Sequence, residues 1–334
     1  MRVFVLGAGA SVHAGYPLTN DLGPKLVKWA SENAAQPNVP WIDTSSLLGH
    51  GSLGDIEEIV TALEASKKDG GTLAGLREAL CAYFDSIRPV EAELYGRLAD
   101  SVGIGDTILS FNYDLSLELE LRRRGKWQVR DGYGFEVGIP AIPRSPLKLL
   151  KLHGSTNWTD LPFGGARGTF LASGESLGDR PVFPWGFDHL GYPGVSDPRY
   201  VLGPLIRSGS LVLPSRKKEY FVRTSLSPRE REGFWNSLWA QATEALRQAA
   251  EVTLIGYSVP AADERAQKLI FGCRNSTAAV TVCCKRDNRR LSDEFQRNGF
   301  ENVRTDLLSF EDWLDTWNPV ALTQRETCYV GGLA

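Results

Sequence analysis

Four polar clusters in this chain follow directly on apolar runs, and their residue types are those of a site for a phosphorylated ligand. They are Gly7-Ala-Gly-Ala-Ser11, Ser110-Phe-Asn112-Tyr-Asp114, Lys151-Leu-His153-Gly-Ser155 and Gly256-Tyr-Ser258. The first follows Val3 to Leu6 and runs on to Gly15 and Pro17. An apolar strand that breaks into a small-residue turn and then opens a helix is a phosphate cradle. Backbone N–H groups approach the anion there, and the helix N-terminus adds partial positive charge. A tight strand-to-helix turn with no ligand would use the same residues. Asn112 and Asp114 alternate around Tyr113, so an extended backbone turns both to one side. Their alternative roles are a turn former and an N-cap for the helix that starts near Leu115. His153 ends the run Leu147 to Leu152, and Gly154 permits a close turn that leaves the imidazole at the sheet edge. A structural histidine is the other reading. His13 lies in the phosphate turn and reads as incidental, and His50 and His189 carry no assignment.

The glycine spacing argues against hydride transfer. The dinucleotide fingerprint of dehydrogenases needs Gly-x-Gly-x-x-Gly, and the third position here is Val12, with the next glycine at Gly15. No acidic residue ends a second strand about 20 residues further on, where a ribose-binding carboxylate belongs. Asp21 falls inside the first expected helix.

The elements that must position these clusters follow from periodicity. Strands are predicted over 2–6, 106–111, 147–152, 252–255 and 279–283. Helices are predicted over 18–31, 73–87, 90–101, 115–124, 228–250, 263–272, 288–298 and 309–317, and one begins at Asp55. Ile56, Ile59, Val60 and Leu63 recur at helical spacing there, and Asp55 is placed to cap it. Residues 33–54 read as a loop. The three helices between 55 and 101 have no strand between them and read as an inserted helical layer. Residues 154–228 read as irregular chain covering a pocket. Strands alternating with helices at both ends predict an α/β fold with a doubly wound, mostly parallel sheet. All four clusters then meet at the carboxyl ends of the strands, where open α/β sheets bind ligands. The expected organisation is one domain over 1–320, with a tail over 321–334.

Bulk properties narrow the classes. The chain has 334 residues, 42% hydrophobic and 23% charged, with formal net charge -3. That balance provides no global basic field for nucleic acid, and the runs 122–124, 216–218 and 286–290 read as solvated surface. No apolar stretch matches a membrane span, and no signal-peptide pattern is present, so a cytoplasmic location is expected. Cys81, Cys273, Cys283, Cys284 and Cys328 form no Cys-x-x-Cys pair. A structural zinc is therefore not expected, and no metal site is assigned.

The ordered set GAGAS-x-x-x-G-x-P, SFNYD, KLHGS and GYS resembles the SIR2-like family, relatives of the NAD-dependent sirtuins. GYSVPAADE and PSRKKEYF also resemble bacterial SIR2-like proteins associated with antiphage defence. The resemblance covers roughly residues 1–269. It implies a Rossmann-like fold and NAD as substrate. It places Gly7, Ala8, Gly9 and Ser11 on the pyrophosphate, Asn112 at the nicotinamide ribose and Asp114 near the carboxamide and ribose, with Gly15, Pro17 and Gly154 among the cofactor-binding residues. It makes His153, beside Gly154, the base, and puts Gly256 and Ser258 on the adenosine side. Deacylating sirtuins continue their first motif with Pro-Asp-Phe-Arg and carry a four-cysteine zinc module. Here Pro17 is followed by Leu18-Thr19-Asn20, and the cysteines cannot build that module, so protein deacylation is not expected. The defence-type members hydrolyse NAD outright, and the resemblance implies a homo-oligomer or a regulatory partner such as an ATPase. Chemistry agrees with hydrolysis. Nicotinamide leaves as a neutral group from a cation and needs no acid, so an oriented amide, a base and a carboxylate suffice: Asn112, His153 and Asp114. A deacylase or ADP-ribosyltransferase, and a non-catalytic NAD or ADP-ribose sensor, remain the alternatives.

Overall fold

In the computed structural model, the described residues are 1–34, 55–65, 70–87, 93–127, 132–134, 145–156, 158–159, 171–172, 211–216, 228–272, 277–305 and 309–316. The chain opens with β1 (Arg2–Leu6), a 3-10 helix (Ala8–Ala14) and α1 (Thr19–Asn33), followed by α2 (Ile56–Ala65), α3 (Gly70–Ser86) and α4 (Glu93–Ser101). Next come β2 (Thr107–Ser110), α5 (Ser116–Arg123), β3 (Lys148–Lys151), and the short strands β4 (Trp158–Thr159) and β5 (Leu171–Ala172). The chain continues with α6 (Pro228–Gln248), β6 (Glu251–Ile255), α7 (Glu264–Gly272), β7 (Ala279–Cys283), α8 (Asn288–Arg297), β8 (Val303–Arg304) and α9 (Phe310–Thr316).

Six strands form one sheet in the order β3-β2-β1-β6-β7-β8, and every pairing within it is parallel. This is a Rossmann-like doubly wound α/β fold. The order reverses at β1, between β2 and β6, and that switch point is where such sheets leave a crevice. Helices cover both faces, so the central strands read as unbroken apolar runs instead of alternating ones. Val3, Val5, Leu6, Ile108, Leu109, Leu149, Leu150 and Leu254 are all completely buried. Each such side chain stabilises the fold by roughly 1.5–3 kcal/mol relative to exposure.

The helices between 55 and 101 divide into two packing groups. The Ile56, Val60, Leu76, Leu80 and Phe84 faces of α2 and α3 form a separate core with Leu22 and Leu26 of α1. Tyr95, Leu98 and Ala99 of α4 belong to the main core beside the sheet. Asp55 caps α2 as its position suggests, its Oδ1 accepting the N–H groups of Glu57 at 2.9 Å and Glu58 at 3.2 Å.

Strands β8, β4 and β5 were not expected. Each has two residues, too short for any periodicity to register. Most of the expected irregular region 154–228, the loop from 35 onward and the tail over 321–334 lie outside the described residues. Among the described residues no helix is long and apolar enough to cross a membrane.

Candidate functional site

The carboxyl ends of β1, β2, β3, β6 and β7 border one cavity of about 540 Å³. Ala8, Gly9, Ser11 and Pro17 line it from the first loop, Asn112 and Asp114 from the second, His153 from the third, and Gly256 and Ser258 from the fourth. Gly7, Gly15 and Gly154 do not reach it. Gly15 closes the 3-10 helix at φ +90°, and Gly154 turns the chain after His153 at φ +83°.

The first turn differs from a plain phosphate cradle. The N–H of Gly7 donates to Ile255 O at 3.1 Å, that of Gly9 to Gly256 O at 2.9 Å, and that of Ala10 to Gly7 O at 2.9 Å. The first two donors join β1 and its turn to the end of β6 and the residue after it, so the N–H groups of Gly7 and Gly9 are engaged within the protein. Glycine is needed for closeness. A Cβ on Gly9 would lie 2.8 Å from Gly256 Cα, and Gly256, at φ +60°, has its own Cβ position 2.3 Å from Ala10 N. The loop beyond Gly256 carries strain as well. Val259 is β-branched, wholly buried, and sits at φ +46°, a left-handed conformation costing about 1–3 kcal/mol that surrounding packing must hold.

Asn112 and Asp114 do face one side, and they meet on Ser11. The Asn112 amide donates to Gly7 O at 2.8 Å and to Ser11 Oγ at 2.9 Å. Both amide hydrogens are thereby committed and the amide cannot flip, so Oδ1 is the atom Asn112 offers to a ligand. Ser11 Oγ donates to Asp114 Oδ2 at 2.7 Å. Its remaining capacity is as acceptor, which makes Tyr95 the donor in the 2.7 Å contact between their hydroxyls. Burial, with the Asp114 charge nearby, pushes the Tyr95 phenol well above its ordinary range, so it keeps its proton. Asp114 Oδ1 accepts the Ser116 N–H at 3.0 Å. That bond braces the first residue of α5, whose N-cap position is Leu115 and not Asp114, and the same carboxylate residue lines the cavity.

Lys151 fixes this loop from beneath. The ammonium is 1% exposed and donates to Asp114 O at 2.5 Å, Tyr113 O at 3.2 Å and Glu118 Oε1 at 2.8 Å. Burial pushes the Glu118 carboxyl up, and Lys151 opposes that shift.

His153 has a partner that sequence reasoning missed. Its Nε2 lies 2.7 Å from Asp263 Oδ2. Asp263 is 1% exposed, and its Oδ1 caps α7 by accepting the Ala266 N–H at 3.0 Å. A carboxylate can only accept, so the shared proton rides on Nε2 and the acceptor nitrogen of the ring is Nδ1. Phe111 sets the ring position, its centroid 4.9 Å from the imidazole edge-on and 4.0 Å from the stacked Tyr257 ring. The signal for Asp263 was present only as a helix start after GYSVPAA. Tyr95 gave none, because its spacing is that of a core residue.

His13 belongs to no part of this network. Its ring packs edge-on against Tyr95 at 4.8 Å and Phe310 at 5.8 Å, and its Nε2 is buried without a hydrogen-bond partner. Burial pushes its pKa down. Among the described residues no group of three or more His, Cys, Asp or Glu could hold a metal ion.

The arrangement brings an imidazole paired with a buried carboxylate, and an oriented amide oxygen, to the cavity rim beyond β2 and β3. No family model matches the chain, and no curated protein matches it. Among solved structures it is similar to a complex of mutated Sir2 homologues with 2′-O-acetyl ADP-ribose. That likeness has 13% sequence identity and a TM-score of 0.35, over 84% of this chain and 78% of that one. The fold assignment rests on the sheet order and not on this likeness.

Proposed function

We propose that this chain binds NAD across the rim of its sheet and hydrolyses the bond between nicotinamide and ribose. The observation that carries the reading is the shape and chemistry of one cavity. It crosses five adjacent strand ends, β3 to β7, a span of ~19 Å at about 4.8 Å per strand. A ligand filling that length is elongated, with two distinct ends, as a dinucleotide is. The groups suited to bond cleavage stand at one end only.

In this reading the C1′–N bond breaks with its electron pair leaving on nicotinamide, which departs neutral. The ribosyl centre left behind is oxocarbenium-like. Asn112 Oδ1 accepts a hydrogen bond from the incoming water or a ribose hydroxyl and fixes its direction. His153 Nδ1 takes the proton released as water adds, and Asp263 stabilises the imidazolium formed. Asp114 contributes negative charge behind Ser11. NAD and water thus give nicotinamide, ADP-ribose and a proton.

One observation favours a second reading, binding of NAD or ADP-ribose without turnover. Both Asp114 oxygens and both Asn112 amide hydrogens are already engaged within the protein, as they would be in a purely structural network. The test is incubation of the purified chain with NAD, following nicotinamide and ADP-ribose. Turnover lost in His153→Ala and Asn112→Ala, with the fold retained, supports hydrolysis. Saturable binding without products supports the second reading, and full activity in both variants refutes the site.

A further inference from the structure

The end of the cavity farthest from His153 is built for negative charge. It is closed by the turn Cys284-Lys285-Arg286-Asp287, whose Asp287 N–H bonds Cys284 O at 3.3 Å. Lys285 and Arg286 occupy the two central positions of that turn, are exposed, and line the cavity. Four further contacts hold the turn. Asn288 Oδ1 accepts the Cys284 N–H at 2.9 Å, and Asn288 Nδ2 donates to Thr305 O at 3.0 Å. The Arg290 guanidinium, paired with Asp287 at 3.3 Å, donates to Ser258 O on the neighbouring loop. Asp287 is therefore occupied by Arg290, and neither Lys285 nor Arg286 forms an ion pair among the described residues. Two cations line the cavity on a pinned turn, and the turn's one carboxylate, Asp287, which lines the cavity beside them, is engaged by Arg290.

We infer that this end recognises a phosphomonoester on the adenosine ribose, so that the preferred ligand is the 2′-phosphorylated dinucleotide, NADP, over NAD. The inference rests on the proposed dinucleotide reading and extends it. The bridging pyrophosphate is an inferior explanation for the pair. β7 lies two strands beyond β1 in the sheet, whereas the turn expected to face the pyrophosphate follows β1 itself. An arginine and a lysine side by side match the doubly charged, three-oxygen acceptor surface of a phosphomonoester.

Calorimetric titration with the unreactive products separates the possibilities. Wild-type protein is titrated with ADP-ribose and with ADP-ribose 2′-phosphate, and so is the Lys285→Ala/Arg286→Ala variant. The inference expects wild type to bind the 2′-phosphate form at least about tenfold more tightly. It expects the variant to lose that preference while its affinity for plain ADP-ribose stays within about twofold. Equal wild-type affinities overturn the inference and leave the dinucleotide site standing. So does a variant that weakens both ligands alike, since the cations would then serve the pyrophosphate. Failure of wild type to bind either compound overturns both readings.

Discussion

Replacing Asp263 by Asn separates the base from its support with little disturbance elsewhere. Asp263 has two duties at fixed positions: Oδ1 caps α7 through the Ala266 N–H at 3.0 Å, and Oδ2 holds His153 Nε2 at 2.7 Å. Asparagine caps helices about as well as aspartate, and its single oxygen must take the capping side. The NH₂ group is then turned toward Nε2. A donor there forces the ring to place its proton on Nδ1, which removes the ring acceptor that the proposed mechanism uses. The loss is the general-base contribution, about 10²–10⁴-fold in turnover, or roughly 3–5 kcal/mol in activation free energy. Stability should change by no more than about 1–2 kcal/mol, because one hydrogen bond replaces another. The assay is nicotinamide release under saturating substrate, with the imidazole tautomer read by nitrogen NMR and stability by urea titration. Turnover within threefold of wild type in a variant whose tautomer has switched would refute the role given to His153.

Other substitutions test the parts that hold the site. Lys151→Met leaves Glu118 buried without its counter-ion and should cost roughly 3–5 kcal/mol in urea unfolding; a loss below 1 kcal/mol contradicts the account of that pair. Gly256→Ala puts a methyl 2.3 Å from Ala10 N, so it should destabilise by about 3 kcal/mol or more and separate the β1 and β6 loops, and unchanged stability would contradict the close approach. His13 gives a pH test. Its folded pKa is pushed below the ordinary 6.5 by burial, so in acid the unfolded chain takes up its proton first. Stability contributed by the neutral ring is therefore complete above 6.5 and is lost as pH falls below it. His13→Gln should lose less stability than wild type between pH 7 and 5, and parallel pH profiles contradict this.

Much of this site was legible in the sequence because strand ends announce themselves. Val3 to Leu6, Ile108 to Leu109 and Leu149 to Leu150 are apolar because both sheet faces are covered, and each run stops where polar residues begin. The convergence of Ser11, Asn112, Asp114 and His153 on one cavity followed from parallel topology alone. What stayed hidden was pairing across distance. Asp263 lies 110 residues from His153, and its local signature is an ordinary helix cap. Tyr95 lies on a helix whose periodicity says core, and it is core, yet its hydroxyl meets Ser11 and Asn112. The glycine turn hid a pairing of the same kind: the N–H groups of Gly7 and Gly9 bond Ile255 O and Gly256 O, partners that arrive about 250 residues later. Lys151 was visible as a charge ending an apolar run, but only the fold supplies Glu118.

The most direct test of the central claim is a crystal structure with ADP-ribose bound. The account predicts a diphosphate beside Ala8 and Ser11, the terminal ribose C1′ between Asn112 Oδ1 and His153 Nδ1, and adenosine toward Ser258. ADP-ribose lying outside this cavity, or reversed with adenine against His153, would contradict it.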